Sequence, residues 1–441
     1  MSDTASSPDT NGTRDDGLAC AVFDRVAGES ETDDLAPGIR AQEPANFLRH
    51  VSALSLTKAA DGLIDPKLVL SWLLTQGGAG AGFVGFLVPI REAGALLPQL
   101  FVTDRIRRMA RRKWAWAGGS AVQGLAAAAI GLAGFMLSGP ALGYAILGAL
   151  AVLAVARSVC SASYKDVLGR TVAKGRRGTA SGIAGSVAAG AVLIFALVLL
   201  SGLAPRRGVV LVALALAALF WLGGGTLMSR MAEPSEPAKA QGGGVRAALG
   251  QLHHLRDDWR LRRFVLARGL LTATALSPPY IVLMAGEGAR GALGGELGAM
   301  VLASSLAALV SSYVWGRLSD RSSRWVLMLA GVMGAAGMGL ALGFGAAGLM
   351  GTVWAPAAAL FVLNLAHQGV RIGRSTYLVD MAREDLRAPY TSVGNTVIGV
   401  ILLASGAFGA LAAAWGAEAT LALFAAMAIA AALVARGLPE A

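Results

Sequence analysis

From about residue 48 to residue 436 the chain is a near-continuous series of apolar stretches separated by short polar or basic breaks. A helix needs about 20 apolar residues to cross the hydrocarbon of a bilayer. Lipid offers the backbone no hydrogen bonds, so stretches of this length must be helices that satisfy their own N–H and C=O groups. Twelve fit, at about 48–75, 80–102, 114–137, 141–163, 179–203 and 208–228, then 264–286, 296–318, 325–347, 354–376, 390–414 and 417–436. Composition agrees. The chain is 55% hydrophobic and 15% charged, whereas soluble domains carry about a quarter charged residues. The 58 glycines suit helices that approach closely in lipid.

Charge sets the orientation. The breaks near 104–113, 165–177, 321–324 and 383–387 hold fifteen Lys and Arg, and the alternate turns hold three, Arg206, Arg207 and Arg290. Insertion retains Lys and Arg on the cytoplasmic side, so both termini are expected there, in the cytoplasmic (inner) membrane. The formal charge of +11 does not imply nucleic acid: residues 1–45 hold ten acids against three bases, and the excess on the rest sits in these loops, beside an anionic leaflet. Residues 1–45 read as a disordered acidic cytoplasmic tail. It lacks the basic start and continuous apolar core of a signal peptide and is expected to stay on the mature protein. Residues 46–228 form one group of six spans and 264–441 another. Between them, 229–263 is a polar linker followed by a basic amphipathic helix lying on the membrane surface, where Val245, Leu249, Leu252, Leu255 and Trp259 recur at helical spacing. His253 and His254 have no nearby Cys or further His, so no metal is expected there. Cys20 and Cys160 are not expected to pair.

The two groups echo each other. Asp104-Arg105 and Asp320-Arg321 stand 216 residues apart, each at the end of an apolar run and followed by more arginine. Arg157, Tyr164, Asp166 and Arg177 are mirrored by Arg371, Tyr377, Asp380 and Arg387, offset by 210 to 214 residues. The first pair of loops resembles the loops after the second and eighth helices of the major facilitator superfamily of secondary transporters, whose pattern is roughly G-x-L-x-D-R-x-G-R-R/K. The second copy keeps Gly316, Leu318, Asp320, Arg321 and Arg324, with Ser323 in place of the second glycine. The first keeps Asp104, Arg105 and Arg108 but has Leu100 and Arg107 where the family has glycines. The resemblance implies an all-α fold of about twelve transmembrane helices in two six-helix halves, related by an axis along the membrane normal. It also implies that the two loops take part in gating.

Ionisable and amide groups at mid-depth cost about 2.5–3.5 kcal/mol each on insertion scales, so those present point to the site. In the first group they are Lys58, Asp61, Arg91, Glu92 and Arg157; in the second, Asn364, His367, Gln368 and Arg371 on the tenth span. Lys58 and Asp61 are three apart and can pair locally; Arg91 with Asp61, or Glu92 with Lys58, would instead join the first two spans. Arg157 resembles the arginine that superfamily antiporters carry in the fourth helix, without the surrounding glycines. Pro66 is expected to kink the first span, and Ser277-Pro278-Pro279 to break the seventh.

No G-x-x-x-x-G-K-[ST], H-E-x-x-H or cysteine-metal spacing occurs, so neither ATP cradling nor metal catalysis is indicated, and no cofactor is expected. The fifth span, from Thr179, lacks the G-P-x-x-G-G stretch of many drug antiporters. The expectation is not an enzyme but a permease, moving a small solute by alternating access with protons as coupling ion. Its partners are that solute and membrane lipids. The rival reading is a lipid-handling or sensory, partner-docking membrane protein on the same fold.

Overall fold

The structure, a computed structural model, describes residues 23, 35–235, 250–288, 296–383 and 386–440, all in helices, turns and short links. Most of the acidic tail, Cys20, the linker stretch 236–249 and Arg290 lie outside the described residues. The first span is two helices, α1 (Glu43–Leu63) and α2 (Val69–Gln76), and the second is α3 (Ala81–Leu96) with α4 (Gln99–Arg107). Then come α5 (Lys113–Met136), α6 (Gly139–Thr171), α7 (Arg177–Ser201) and α8 (Arg206–Ser229). The seventh span contains α9 (Trp259–Leu271) and α10 (Pro278–Gly288), followed by α11 (Glu296–Ser319), α12 (Ser323–Ala346), α13 (Trp354–Met381), α14 (Arg387–Ala404) and α15 (Ala407–Arg436). Gly416 divides α15: at φ 88° it turns the chain between the eleventh and twelfth spans, a conformation that costs glycine nothing.

Eight helices among the described residues are long and apolar enough to cross a membrane, and two more, within α11 and α14, are apolar but shorter. The two spans that fail this test are the first and the tenth. They fail because they carry the ionisable residues, and the first is also broken at mid-depth. There Asp65 accepts the Lys67 N–H at 2.9 Å, and Ser71 Oγ donates to the Pro66 carbonyl. The seventh span breaks at the corresponding place in the second group, where Ser277 Oγ donates to the Ala273 carbonyl ahead of Pro278. Side-chain hydroxyls thus add hydrogen bonds to backbone carbonyls at both breaks, in keeping with the need to satisfy the backbone in lipid.

The structure alters three expectations. The fourth span runs to Thr171 and the tenth to Met381, so Lys165 and Arg170 lie on the last turns of a helix and not in a loop. The surface amphipathic helix is not continuous: Asp258 leaves helical geometry, accepts from the Arg260 and Leu261 N–H groups, and caps α9. Residues 259–263 therefore begin the seventh span, because an Asp cap satisfies its first donors. Finally, α1 starts inside the stretch read as tail, since Glu43 is buried against Arg176 (2.9 Å) and accepts the Ala173 N–H (2.9 Å).

The echo of Arg177 and Arg387 has a physical role. Arg177 donates to the carbonyls of Val172 and Gly169, five and eight residues back, and so closes the C-terminus of α6. Arg387 donates to those of Ala382 and Val379, again five and eight back, at the end of α13. Asp166 pairs with Arg112 before α5 at 3.0 Å, and Asp380 accepts from Ser323 at the start of α12 at 3.4 Å. Last-turn carbonyls need such partners; that both groups supply them identically marks an internal repeat.

The two groups meet through α3 with α14 and α15, through α7 with α11, and through α2 with α10. Among the described residues, the closest glycine contacts between them lie from mid-depth to the end opposite the basic loops. A Cβ on Gly85 would stand 2.3 Å from Gly409 Cα, one on Gly298 2.7 Å from Leu200 N, and one on Gly406 2.3 Å from the Phe86 ring. At the basic end no described glycine of one group is packed this closely against the other, so the tight contact between the groups is confined to mid-depth and the end away from the basic loops, and the end that carries those loops is the looser, more open one.

Candidate functional site

Asp61 sits one turn before the break in the first span and is gripped by two arginines from different spans. Arg91 Nη2 of α3 meets Oδ1 at 2.5 Å, and Arg157 Nη1 of α6 meets Oδ2. The Arg91 side chain is 11% exposed and that of Arg157 36%, so Arg157 is the partner that the opening reaches. Arg91 lies on α3 two residues after Pro89. Each charge removed from water needs a partner of opposite sign, and here one carboxylate serves two.

Lys58 does not join this arrangement: its ammonium donates to the Ser181 carbonyl of α7 at 3.0 Å, so neither Asp61 nor Glu92 pairs with it. Glu92 is half-buried, and its charge acts on Arg157 and Arg91 of the first group and on Arg374 of the second. Asn364 turns away, donating to Ser304 Oγ of α11 and to the Leu360 carbonyl, both at 3.0 Å. It is an interhelical tie. Gln368 accepts from Arg371 at 3.5 Å, and Arg371 is exposed at the open end.

The sequence reading left four residues out of the site: Asp65, Lys67, Arg268 and Arg374. Lys67, in the break of the first span, donates to His367 Nε2 across the two groups at 3.3 Å. With Nε2 accepting, His367 carries its proton on Nδ1, 3.1 Å from Thr274 Oγ1, so α13, the first span and the broken seventh span meet at one imidazole. The charges of Lys67, Arg371 and Arg374 all act on that ring. The charges of Glu92, Asp65, Arg371 and Arg374 all act on Lys67. Arg268 of α9 is buried, with Nη2 on Asn395 Oδ1 at 2.9 Å, and Arg374 acts on it. Arg374 was legible, lying three residues after Arg371 and seven after His367, which is the same helix face. Lys67 was visible as an ionisable residue in the first span beside Pro66, but its partner was not, since His367 lies 300 residues away.

The basic loops frame the open end. Asp320 is exposed and has no side-chain partner among the described residues, while Arg324 is held by the Leu438 carbonyl and by Glu440. Arg105, Arg108 and Arg321 are exposed, and nothing lies within 4 Å of a Cβ built on Gly316. The Asp104 side chain lies outside the described residues. Elsewhere, His253, His254 and Asp257 bring three ligand-type atoms within 4.8 Å on the surface; the sequence reading missed Asp257 at the i+4 position. Two apolar grooves of about 550 and 500 Å³ lie apart from the Asp61 cluster, one along α9 and α14 and one between α5 and α6.

Two six-helix groups, each with a broken first span, joined face to face around a mid-depth polar cluster, define the fold of the major facilitator transporters. No protein-family model and no curated relative matches the sequence. Among solved structures the chain is similar to a nucleoside transporter, NupG (14% identity, 89% of this chain and 98% of that one, TM-score 0.65). It is also similar to the inward-open xylose transporter XylE of E. coli (12%, 91% and 97%, TM-score 0.62) and to a POT family transporter in complex with a thioalcohol-conjugated peptide (11%, 88% and 94%, TM-score 0.65). Identities this low carry the fold; the chemistry must come from the residues.

Proposed function

We propose that this chain is a secondary active transporter that moves a small solute by alternating access and is driven by protons, with Asp61 as the coupling carboxylate. One observation carries the reading: Asp61 is shared by a buried arginine and by one open to the space between the groups. A carboxylate that loses one cation takes up a proton more readily, and one that regains it gives the proton back. Rocking of the two groups would change the reach of Arg157 and so couple proton uptake to access. Glu92 is the second acid placed to respond. A lipid-handling or partner-docking role is less well supported, because the polar cluster faces the space between the groups rather than an outer face. The deciding experiment is solute accumulation in proteoliposomes after a pH step, with headgroup accessibility of labelled lipid as the comparison.

On this proposal the basic loops lie on the cytoplasmic side of the cytoplasmic membrane, and the looser packing between the groups at that end supports an inward-open conformer. Single cysteines near 108, 174, 240 and 385, without Cys20 and Cys160, are expected to resist an impermeant maleimide on intact cells. Those near 140, 206, 290 and 350 are expected to label. Labelling at 108 or 240 would overturn the topology.

Asp320 is proposed to act as a latch that engages arginines or helix N-termini of the loops when the cytoplasmic end closes, with Asp104 as its weaker counterpart. A group that interacts in one state only shifts the equilibrium toward that state. Asp320→Asn is expected to raise cytoplasmic-side labelling and slow transport several-fold at unchanged expression, and Asp104→Asn to do less. If labelling is unaltered, the loop is a topology signal alone.

A further inference from the structure

The mid-depth cluster is not neutral. Asp61, Asp65 and Glu92 stand among Lys67, Arg91, Arg157, Arg268, Arg371 and Arg374, six cations to three acids, an excess of +3. Arginine does not lose its proton in proteins, so even a neutral Lys67 leaves five arginines against three acids and an excess of +2. Among the described residues the hydrogen-bond partners of the second group's cations are uncharged: Arg268 holds Asn395 and Arg371 holds Gln368. Arg374 has no hydrogen-bond partner there, and the opposing charge that acts on it is that of Glu92, which also acts on Arg157. Glu92 therefore lies within electrostatic reach of cations of both groups. Arg371 and Arg374, three apart on α13, project to one side with forked donors suited to the paired oxygens of a carboxylate or phosphate.

We propose that the transported solute is a small organic anion, carrying a carboxylate or phosphate, held between Arg157 of the first group and Arg371 and Arg374 of the second. The inference rests on the transport reading above and names its substrate class. An uncompensated positive cavity with low-dielectric walls concentrates anions and repels cations. A neutral sugar or nucleoside would leave the excess unanswered, and a cationic drug would add to it. An anion engaging Arg157 would also draw that guanidinium from Asp61, which ties binding to the coupling carboxylate.

The test uses purified full-length protein and its melting temperature. The probes are succinate and inorganic phosphate, compared with sodium chloride of matched ionic strength, neutral succinamide and cationic putrescine. Ligand in hundredfold excess over Kd is expected to raise the melting temperature by about 3 °C. Succinate alone doing so identifies a carboxylate, phosphate alone a phosphoryl group, and neither neutral nor cationic probe should act. Arg371→Gln with Arg374→Gln should lose the shift, while Arg371→Lys with Arg374→Lys should keep part of it, which separates lost charge from lost fold. The proposal is overturned if succinamide or putrescine gives the shift, if neither anion exceeds chloride, or if the double Gln variant retains it. Failure of the transport reading looks different. Maleimide labelling of Ser375→Cys, at an exposed position one turn beyond Arg371, would then stay constant although the anion binds.

Discussion

Asp61→Asn is expected to abolish accumulation driven by a pH gradient, a loss of at least tenfold, while exchange of labelled for unlabelled solute continues. Asn keeps the shape and can accept from Arg91 or Arg157, but it cannot take up a proton, and exchange needs no net proton movement. The substitution also leaves two guanidinium groups without their shared counter-charge. Breaking a buried pair by removing one partner costs about 3–5 kcal/mol, so some loss of yield is expected, and continued exchange is what certifies that the protein is folded. Glu92→Gln is expected to act in the same direction, more weakly, because Glu92 influences its cations without a direct bond. If both variants still accumulate solute after a pH step, the two acids are structural. Coupling would then lie elsewhere or be absent, and His367→Gln would be the next substitution to measure.

Gly85→Val is expected to tip the protein out of the conformer seen here and toward the one open at the opposite end. The glycine faces backbone, not a flexible side chain: an added Cβ would stand 2.3 Å from Gly409 Cα and 2.7 Å from its nitrogen. Both belong to the other six-helix group, so relief requires the groups to part at this end. Overpacking of this kind costs about 1–3 kcal/mol, and where the cost falls on one state only it multiplies the population ratio by about 5 to 150. Maleimide labelling at Ser375→Cys should fall and labelling near Gly406 should rise. A Gly118→Val control, where nothing lies within 4 Å of an added Cβ, should change neither. Equal effects from both would mean that the Gly85 contact does not set the conformer.

Much of the architecture was legible because lipid is a severe solvent. Twelve apolar runs, the basic breaks between them and the prolines at 66 and 278–279 are local features, and each has one structural outcome once the backbone must satisfy itself. Span ends were less legible. The α6 and α13 helices outlast their apolar stretches because Arg177 and Arg387 close them from beyond, an interaction made five and eight residues away. The surface helix failed as an expectation because periodicity at 245–263 says nothing of a cap, and Asp258 restarts the chain as α9.

At the site, position within an apolar run pointed to Asp61, Arg91, Glu92, Arg157 and the tenth-span row, and passed over Asp65, Lys67, Arg268 and Arg374. Partners were decided only by the tertiary structure. Lys58 and Asp61 share a helix face, yet Lys58 goes to Ser181 and Asp61 to Arg91 and Arg157, 30 and 96 residues away. Asn364 shares the tenth span with His367, yet one ties α13 to α11 while the other bridges the two groups through Lys67. A charge in a poorly polarisable medium is stabilised by whichever opposite charge or dipole lies within a few ångströms, and that neighbour is set by how the spans pack.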